Sequence, residues 1–161
     1  MKATVSMIVA ALLAAPAAAE DLHALWDGQC GGCHGHAGDF ARQSLELRDG
    51  ALFGQVSGRP VAEYLIRHNG GYAAEQIAAL QAMLIAQAGT PPEFQVHCGQ
   101  CHDSAAQLVR DWVTRRDGGL VARGSGLPLE TFLRRHGGAD ADSRARIIEA
   151  LTRVAAEVNH R

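Results

Sequence analysis

The sequence predicts an all-α protein built from two tandem small helical domains. The first ground is an internal repeat. Shifted by 68 residues without a gap, Cys30 lands on Cys98, Cys33 on Cys101 and His34 on His102. The match continues with Arg48-Asp49-Gly50 on Arg116-Asp117-Gly118, Leu52 on Leu120, Ser57-Gly58 on Ser125-Gly126 and Pro60 on Pro128. It reaches Leu65-Ile66-Arg67-His68-Asn69-Gly70 over Leu133-Arg134-Arg135-His136-Gly137-Gly138; after a short insertion, Ile77-Ala78-Ala79-Leu80 meets Ile148-Glu149-Ala150-Leu151. The second ground is spacing, because the strongest apolar runs of each copy follow a helical period. The third is size. A chain of 161 residues, 47% hydrophobic but only 5% aromatic, divides into copies near the lower limit for an independent core, so each needs apolar mass from elsewhere.

At the N-terminus, Met1-Lys2 is a short positive start, Val5 to Ala15 an apolar run, and Pro16-Ala17-Ala18-Ala19-Glu20 a small-residue site before a charge. Residues 1–19 read as a secretory signal peptide cleaved after Ala19. A retained membrane anchor is the alternative, but the run is short for a bilayer, and no other stretch is long and apolar enough. Residues 20–89 then form the first domain and residues 90–161 the second. Gly89-Thr90-Pro91-Pro92 is the linker between them.

Within the first domain, Asp21 to Gln29 carries Leu22, Leu25 and Trp26 at helical spacing, and Phe94 to His97 is the shorter counterpart in the second. Phe40 to Leu47 and Ala105 to Arg115 follow as helical pieces, the latter through Leu108, Val109, Trp112 and Val113. Glycine-rich loops come next. Pro60 and Pro128 suit the first turn of short helices, with Ser57 and Ser125 near the entrance and Gly70 and Gly138 beyond the exit. Long closing helices complete the copies: residues 73–88, with Ile77, Leu80, Met83, Leu84 and Gln87 on one side, and residues 143–158, with Ile147, Ile148, Leu151, Val154 and Val158.

All four cysteines lie in Cys30-Gly31-Gly32-Cys33-His34 and Cys98-Gly99-Gln100-Cys101-His102. Both are C-x-x-C-H, the pattern of covalent c-type haem attachment. Two thiols on one turn of chain can add to the two vinyl groups at one edge of a porphyrin, and the following histidine can bind iron. A redox dithiol or a four-cysteine zinc ribbon would use the same pairs, but a zinc ribbon has no use for a histidine directly after each, and a redox dithiol does not usually appear twice in a chain this short. The sequence resembles the c-type cytochromes, with Cys30, Cys33, Cys98 and Cys101 holding two covalent haem c groups and His34 and His102 as iron ligands. The order of elements is similar to the small class I cytochrome c fold, whose first and last helices cross beside the haem. The resemblance therefore implies two small domains, each wrapped around one covalent haem.

The sixth iron ligand departs from that family, which usually places a methionine before the last helix. Beyond the signal the only methionine is Met83, inside a closing helix where the second copy has Val154, so it reads as core packing. His68 and His136 take the role instead. Each lies 34 residues after its proximal histidine, in the same Arg-His context. A histidine at a helix C-terminus can also be held by the backbone dipole, but recurrence in register with both motifs favours ligation. His23, His36, His97 and His160 do not recur, and His97, beside Cys98, reads as a surface group or a hydrogen-bonding neighbour of the second haem.

Iron filled on both faces has no ready substrate site, so the pattern implies outer-sphere electron transfer rather than an enzyme. Imidazole in place of thioether lowers the reduction potential. Beyond the signal the positive charge is all arginine; Arg48 with Arg116 and Arg67 with Arg135 recur, and either pair could meet haem propionates or simply solvent. The first domain carries eight acids against four arginines and the second nine against ten, an asymmetry that could orient redox protein partners. Nothing points to nucleic acid. The expected protein is a periplasmic dihaem electron carrier or the cytochrome subunit of a redox complex. A dihaem redox enzyme and a gas-binding sensor, each needing a displaceable distal histidine, are the alternatives.

Overall fold

The computed structural model describes residues 20–68 and 71–158. The signal-peptide expectation, Gly70 and His160 lie outside them. Among the described residues the first copy runs α1 (Leu22–Gln29), α2 (Gly31–His34), α3 (Ala37–Ser44), β1 (Leu45–Arg48), β2 (Ala51–Gly54), α4 (Val61–Leu65) and α5 (Ala74–Ala88). The second runs α6 (Glu93–Cys98), α7 (Ala105–Trp112), β3 (Val113–Arg116), β4 (Gly119–Ala122), α8 (Leu129–Leu133) and α9 (Ala141–Glu157).

The strands correct the all-α expectation: the protein is mixed, with one antiparallel two-stranded hairpin in each copy. The helical pieces expected to run to Leu47 and Arg115 stop at Ser44 and Trp112 and continue as β1 and β3. Asp-Gly explains this. Arg48 pairs with Ala51 and Arg116 with Gly119, leaving two-residue turns. In those turns Asp49 and Gly50 have φ of 50° and 80°, and Asp117 and Gly118 have 50° and 78°. Two successive positive φ values make a type I′ turn, which matches the twist of a hairpin and is favoured by Asp-Gly. Each hairpin is tied to the next helix by a bridge, Phe53 to Pro60 and Val121 to Pro128.

The helices start and stop for local reasons. Asp21 caps α1, its carboxylate accepting from the Ala24 N–H at 2.8 Å. Ser104 caps α7 and Asp140 caps α9 in the same way. Pro60 and Pro128 stand one residue before α4 and α8, at the cap, where a missing N–H costs nothing.

Two hydrophobic cores result, one on either side of the linker. In the first, Ala41 of α3, Leu52 of β2 and Leu80, Met83 and Leu84 of α5 are almost wholly buried; in the second, Val109 of α7 and Ile147, Leu151 and Val154 of α9 correspond. Met83 is buried in the core, as Val154 is in its copy. α1 packs on α5 and α6 on α9, so first and last helices meet in both copies.

A polar seam joins the copies. Arg110 of α7 donates to both carboxylate oxygens of Asp21, at 3.0 Å each, and its other nitrogen lies 3.5 Å from Asp27. His23 Nε2 meets Glu157 Oε2 at 2.7 Å, while Arg153 donates to Glu157 at 3.0 Å and to Thr90 at 3.3 Å. His36 Nε2 and Asp103 Oδ1 are 3.5 Å apart. None of the described helices is long and apolar enough to cross a membrane.

Candidate functional site

The first C-x-x-C-H folds as a single helical turn. The N–H groups of Cys33 and His34 both donate to the Cys30 carbonyl, at 3.1 and 2.9 Å, and Gly35, at φ 66°, ends the turn. The second motif makes the same bonds, from Cys101 at 3.0 Å and His102 at 2.9 Å to the Cys98 carbonyl. Each motif therefore presents its cysteines and histidine in the same local geometry. In the first copy Trp26 donates from its indole to the Gly35 carbonyl at 2.8 Å, pinning the residue after His34. Phe40 packs against both, 4.6 Å from His34 and 5.1 Å from Trp26 between ring centroids.

The downstream histidines are delivered by α4 and α8. Leu65 and Leu133 anchor these short helices in the two cores. The chain then turns, and His68 and His136 follow three residues later, each beside an aromatic ring of its own helix: Tyr64 at 5.5 Å and Phe132 at 4.8 Å. Gly137 and Gly138, at φ 83° and 65°, turn the chain away directly after His136.

These pieces converge. Cys30, His34 and His68 open onto one cavity with Trp26, Phe40, Leu65 and Leu84 among its walls; its void, open mouth included, is ≈ 960 Å³. Cys98, His102 and His136 open onto the corresponding cavity of ≈ 1040 Å³, walled by Leu108, Val113, Leu133, Ile147 and Leu151. His34 and His68 stand with ring centroids 6.0 Å apart, and His102 and His136 stand at the same 6.0 Å. Two imidazoles bound to opposite faces of one metal, through bonds of about 2 Å, place their centroids about 6 Å apart. The residues present thus fit a porphyrin: each apolar slot is walled by one thiol and two imidazoles, Cys30 with His34 and His68 or Cys98 with His102 and His136, while Cys33 and Cys101 are exposed beside them.

Burial pushes the Cys30 thiol above its ordinary range, against a smaller opposing pull from the Tyr72 hydroxyl 3.8 Å away. Burial likewise raises Cys98. Reactive dithiols need the opposite, a lowered pKa that keeps a thiolate ready. Among the described residues no three histidine, cysteine, aspartate or glutamate side chains gather as a metal-holding cluster, so the four cysteines do not assemble a shared site there.

The other residues singled out from sequence fall elsewhere. Arg48 pairs with Glu46 at 2.6 Å and lies over the Phe53 ring; neither it nor Arg116, Arg67 or Arg135 lines the two cavities. Arg59 lines the first instead. His97 lies 3.4 Å from Glu93, while His23 and His36 belong to the seam. Sequence reasoning missed the hairpin's share of the walls, Gly54, Val56 and Ser57 in the first cavity and Ala122, Gly124 and Ser125 in the second. Recurrence of Ser57 and Ser125 was the available signal. It also missed Trp112, which lines the second cavity while 60% exposed.

Compared with protein families, curated proteins and solved structures, the chain matches none.

Proposed function

We propose that the chain is an exported, periplasmic dihaem c-type cytochrome that carries electrons between redox partners. One observation carries the reading: in both copies the C-x-x-C-H histidine faces a second histidine across an apolar cavity at 6.0 Å. Cys30 and Cys33 would hold one haem and Cys98 and Cys101 the other, with His34 and His68, and His102 and His136, as axial ligands. Bound haem supplies a one-electron iron couple. In each copy both histidines would bind the iron, which would leave no position for oxygen, peroxide or substrate. Leu84, Ile147 and Leu151 give the slots apolar walls. Two imidazoles rather than imidazole and thioether set a low reduction potential. Export agrees with the N-terminal pattern and with cysteines reserved for attachment.

The test is spectroscopic. Alkaline pyridine spectra and intact mass of the protein made with a c-type maturation system should show two covalent haems. Electron paramagnetic resonance of the oxidised form should show two low-spin bis-imidazole signals, and the reduced form should take up no carbon monoxide. High-spin iron with rapid carbon monoxide binding would replace the carrier with the enzyme or sensor reading; absence of covalent haem would end both.

A further inference from the structure

The two copies keep the same frame around their cavities but differ in the charged groups at the mouths. The comparable segments are residues 43–68 and residues 111–136, and every charged side chain in them is exposed. In the first, Arg48, Arg59 and Arg67 balance Glu46, Asp49 and Glu63. In the second, five arginines face three acids, Asp111, Asp117 and Glu130. The excess arises at three matched positions: Leu47, Gln55 and Ile66 of the first copy become Arg115, Arg123 and Arg134. One exchange runs the other way, Arg59 against Leu127.

None of the three lines the second cavity, but each adjoins a residue that does. Arg115 shares a face of its strand with Val113, a cavity wall; Arg123 directly precedes Gly124 and Ser125, which also line it; Arg134 follows Leu133. Arg123 donates to the carbonyls of Arg110 and Val113, at 3.1 and 2.9 Å, so it is held in place with its charge intact. At the same rim Trp112 stands 60% exposed where the first copy has Ser44. The first mouth offers Leu47, Val56 and Ile66, exposed by 46%, 102% and 58%. Exposed tryptophan among arginines is the composition of an interface hot spot, and guanidinium groups pair bidentately with carboxylates. A patch of one sign at a mouth also steers oppositely charged partners to it.

We infer that the two mouths serve different partners and that the second alone docks an acidic electron-transfer protein; this rests on the haem reading above for what lies behind the mouth. The test is calorimetric titration of the haem-loaded protein with an oxidised, strongly acidic flavodoxin as the probe. Binding should be measurable at low ionic strength and weaken roughly ten-fold or more as salt shortens the range of the interaction. Arg115→Glu with Arg134→Glu should weaken it by a further factor of about ten, and Trp112→Ser by several-fold. Leu47→Glu with Ile66→Glu at the first mouth should leave it within about two-fold. Arg115→Gln with Arg134→Gln should give an intermediate loss and stands in if charge reversal impairs folding. No binding at low salt, insensitivity to the arginine changes, or equal loss from either mouth overturns the inference. The haem reading fails separately, on the absorption spectrum, because the titration involves no electron transfer.

Discussion

Breaking the Asp21–Arg110 pair is expected to loosen the protein by more than an ordinary surface ion pair would. The two side chains are 20% and 23% exposed, and the guanidinium reaches both carboxylate oxygens at 3.0 Å. Exposed pairs contribute about 0–1 kcal/mol, and breaking a buried one costs about 3–5 kcal/mol. This bidentate, mostly covered pair should fall between them, with a coupling of about 1.5 kcal/mol, the low end for hydrogen bonds to charged groups. Asp21 also caps α1, so Asp21→Ala should lose about 1 kcal/mol more than the pair alone. Asp21→Ala, Arg110→Ala and the double variant form a cycle that removes the cap term, read from guanidinium unfolding of the haem-loaded protein by far-ultraviolet circular dichroism. The pH dependence is a second check. Burial pushes the Asp21 carboxyl up, but the Arg110 hydrogen bond, the Ala24 N–H and the Arg110 charge together hold it below the ordinary 3.8. A group depressed on folding contributes fully above its unfolded value and loses that contribution as pH falls through the folded one. The cost of Arg110→Ala should therefore be constant near neutrality and shrink below pH 3.8. A coupling under about 0.5 kcal/mol, as for a solvated pair, would refute the seam's role.

Three further outcomes are expected. His136→Ala should leave the covalent haem in place but convert one of two low-spin signals to high spin and admit one equivalent of carbon monoxide per chain, with the His68→Ala variant doing the same for the other site. Glu157 is pushed up by burial yet held below its ordinary 4.5 by His23 and Arg153, so it should add stability that is kept above that value and lost as pH falls below it. Acid unfolding of Glu157→Gln should show a shallower slope there. Gly118→Val places a branched side chain at φ 78° and should cost about 1–2 kcal/mol or more in the same unfolding assay.

The candidate sites were legible because recurrence marked them. Cys30, Cys33, His34 and His68 are retained in register as Cys98, Cys101, His102 and His136, and the structure brings Cys30, His34 and His68 to one cavity and Cys98, His102 and His136 to the other, with Cys33 and Cys101 exposed outside them. The hairpins carried the same kind of mark, since Arg-Asp-Gly recurs, but the turn was read as loop. Its strands are four residues each, with only Leu45 of β1 and Leu52 of β2 buried, too little alternation to outweigh the helical pattern entering them. Residues that divide one cavity from solvent, such as Trp112 and Arg59, were hidden for the opposite reason: each stands where the other copy has something else.

The seam shows why recurrence alone could not find the contact between copies. Arg42 and Arg110 occupy the same register, yet Arg42 donates to Asp39 within its own copy at 2.8 Å while Arg110 crosses to Asp21. The position equivalent to Asp21 is Gly89, which has no carboxylate to offer, and Gln107 stands where Asp39 would be, so Arg110 has no matching acid at home. The two substitutions together redirect one arginine of a duplicated pair across the boundary. His23 and Glu157 follow the same rule, their equivalents being Pro91 and Ala86. Positions shared by the copies place a cysteine and two histidines in each cavity wall; positions that differ make the contacts between the copies. Under the proposed function, the asymmetric residues are therefore where substitutions should change coupling between the copies and partner choice while leaving haem attachment intact.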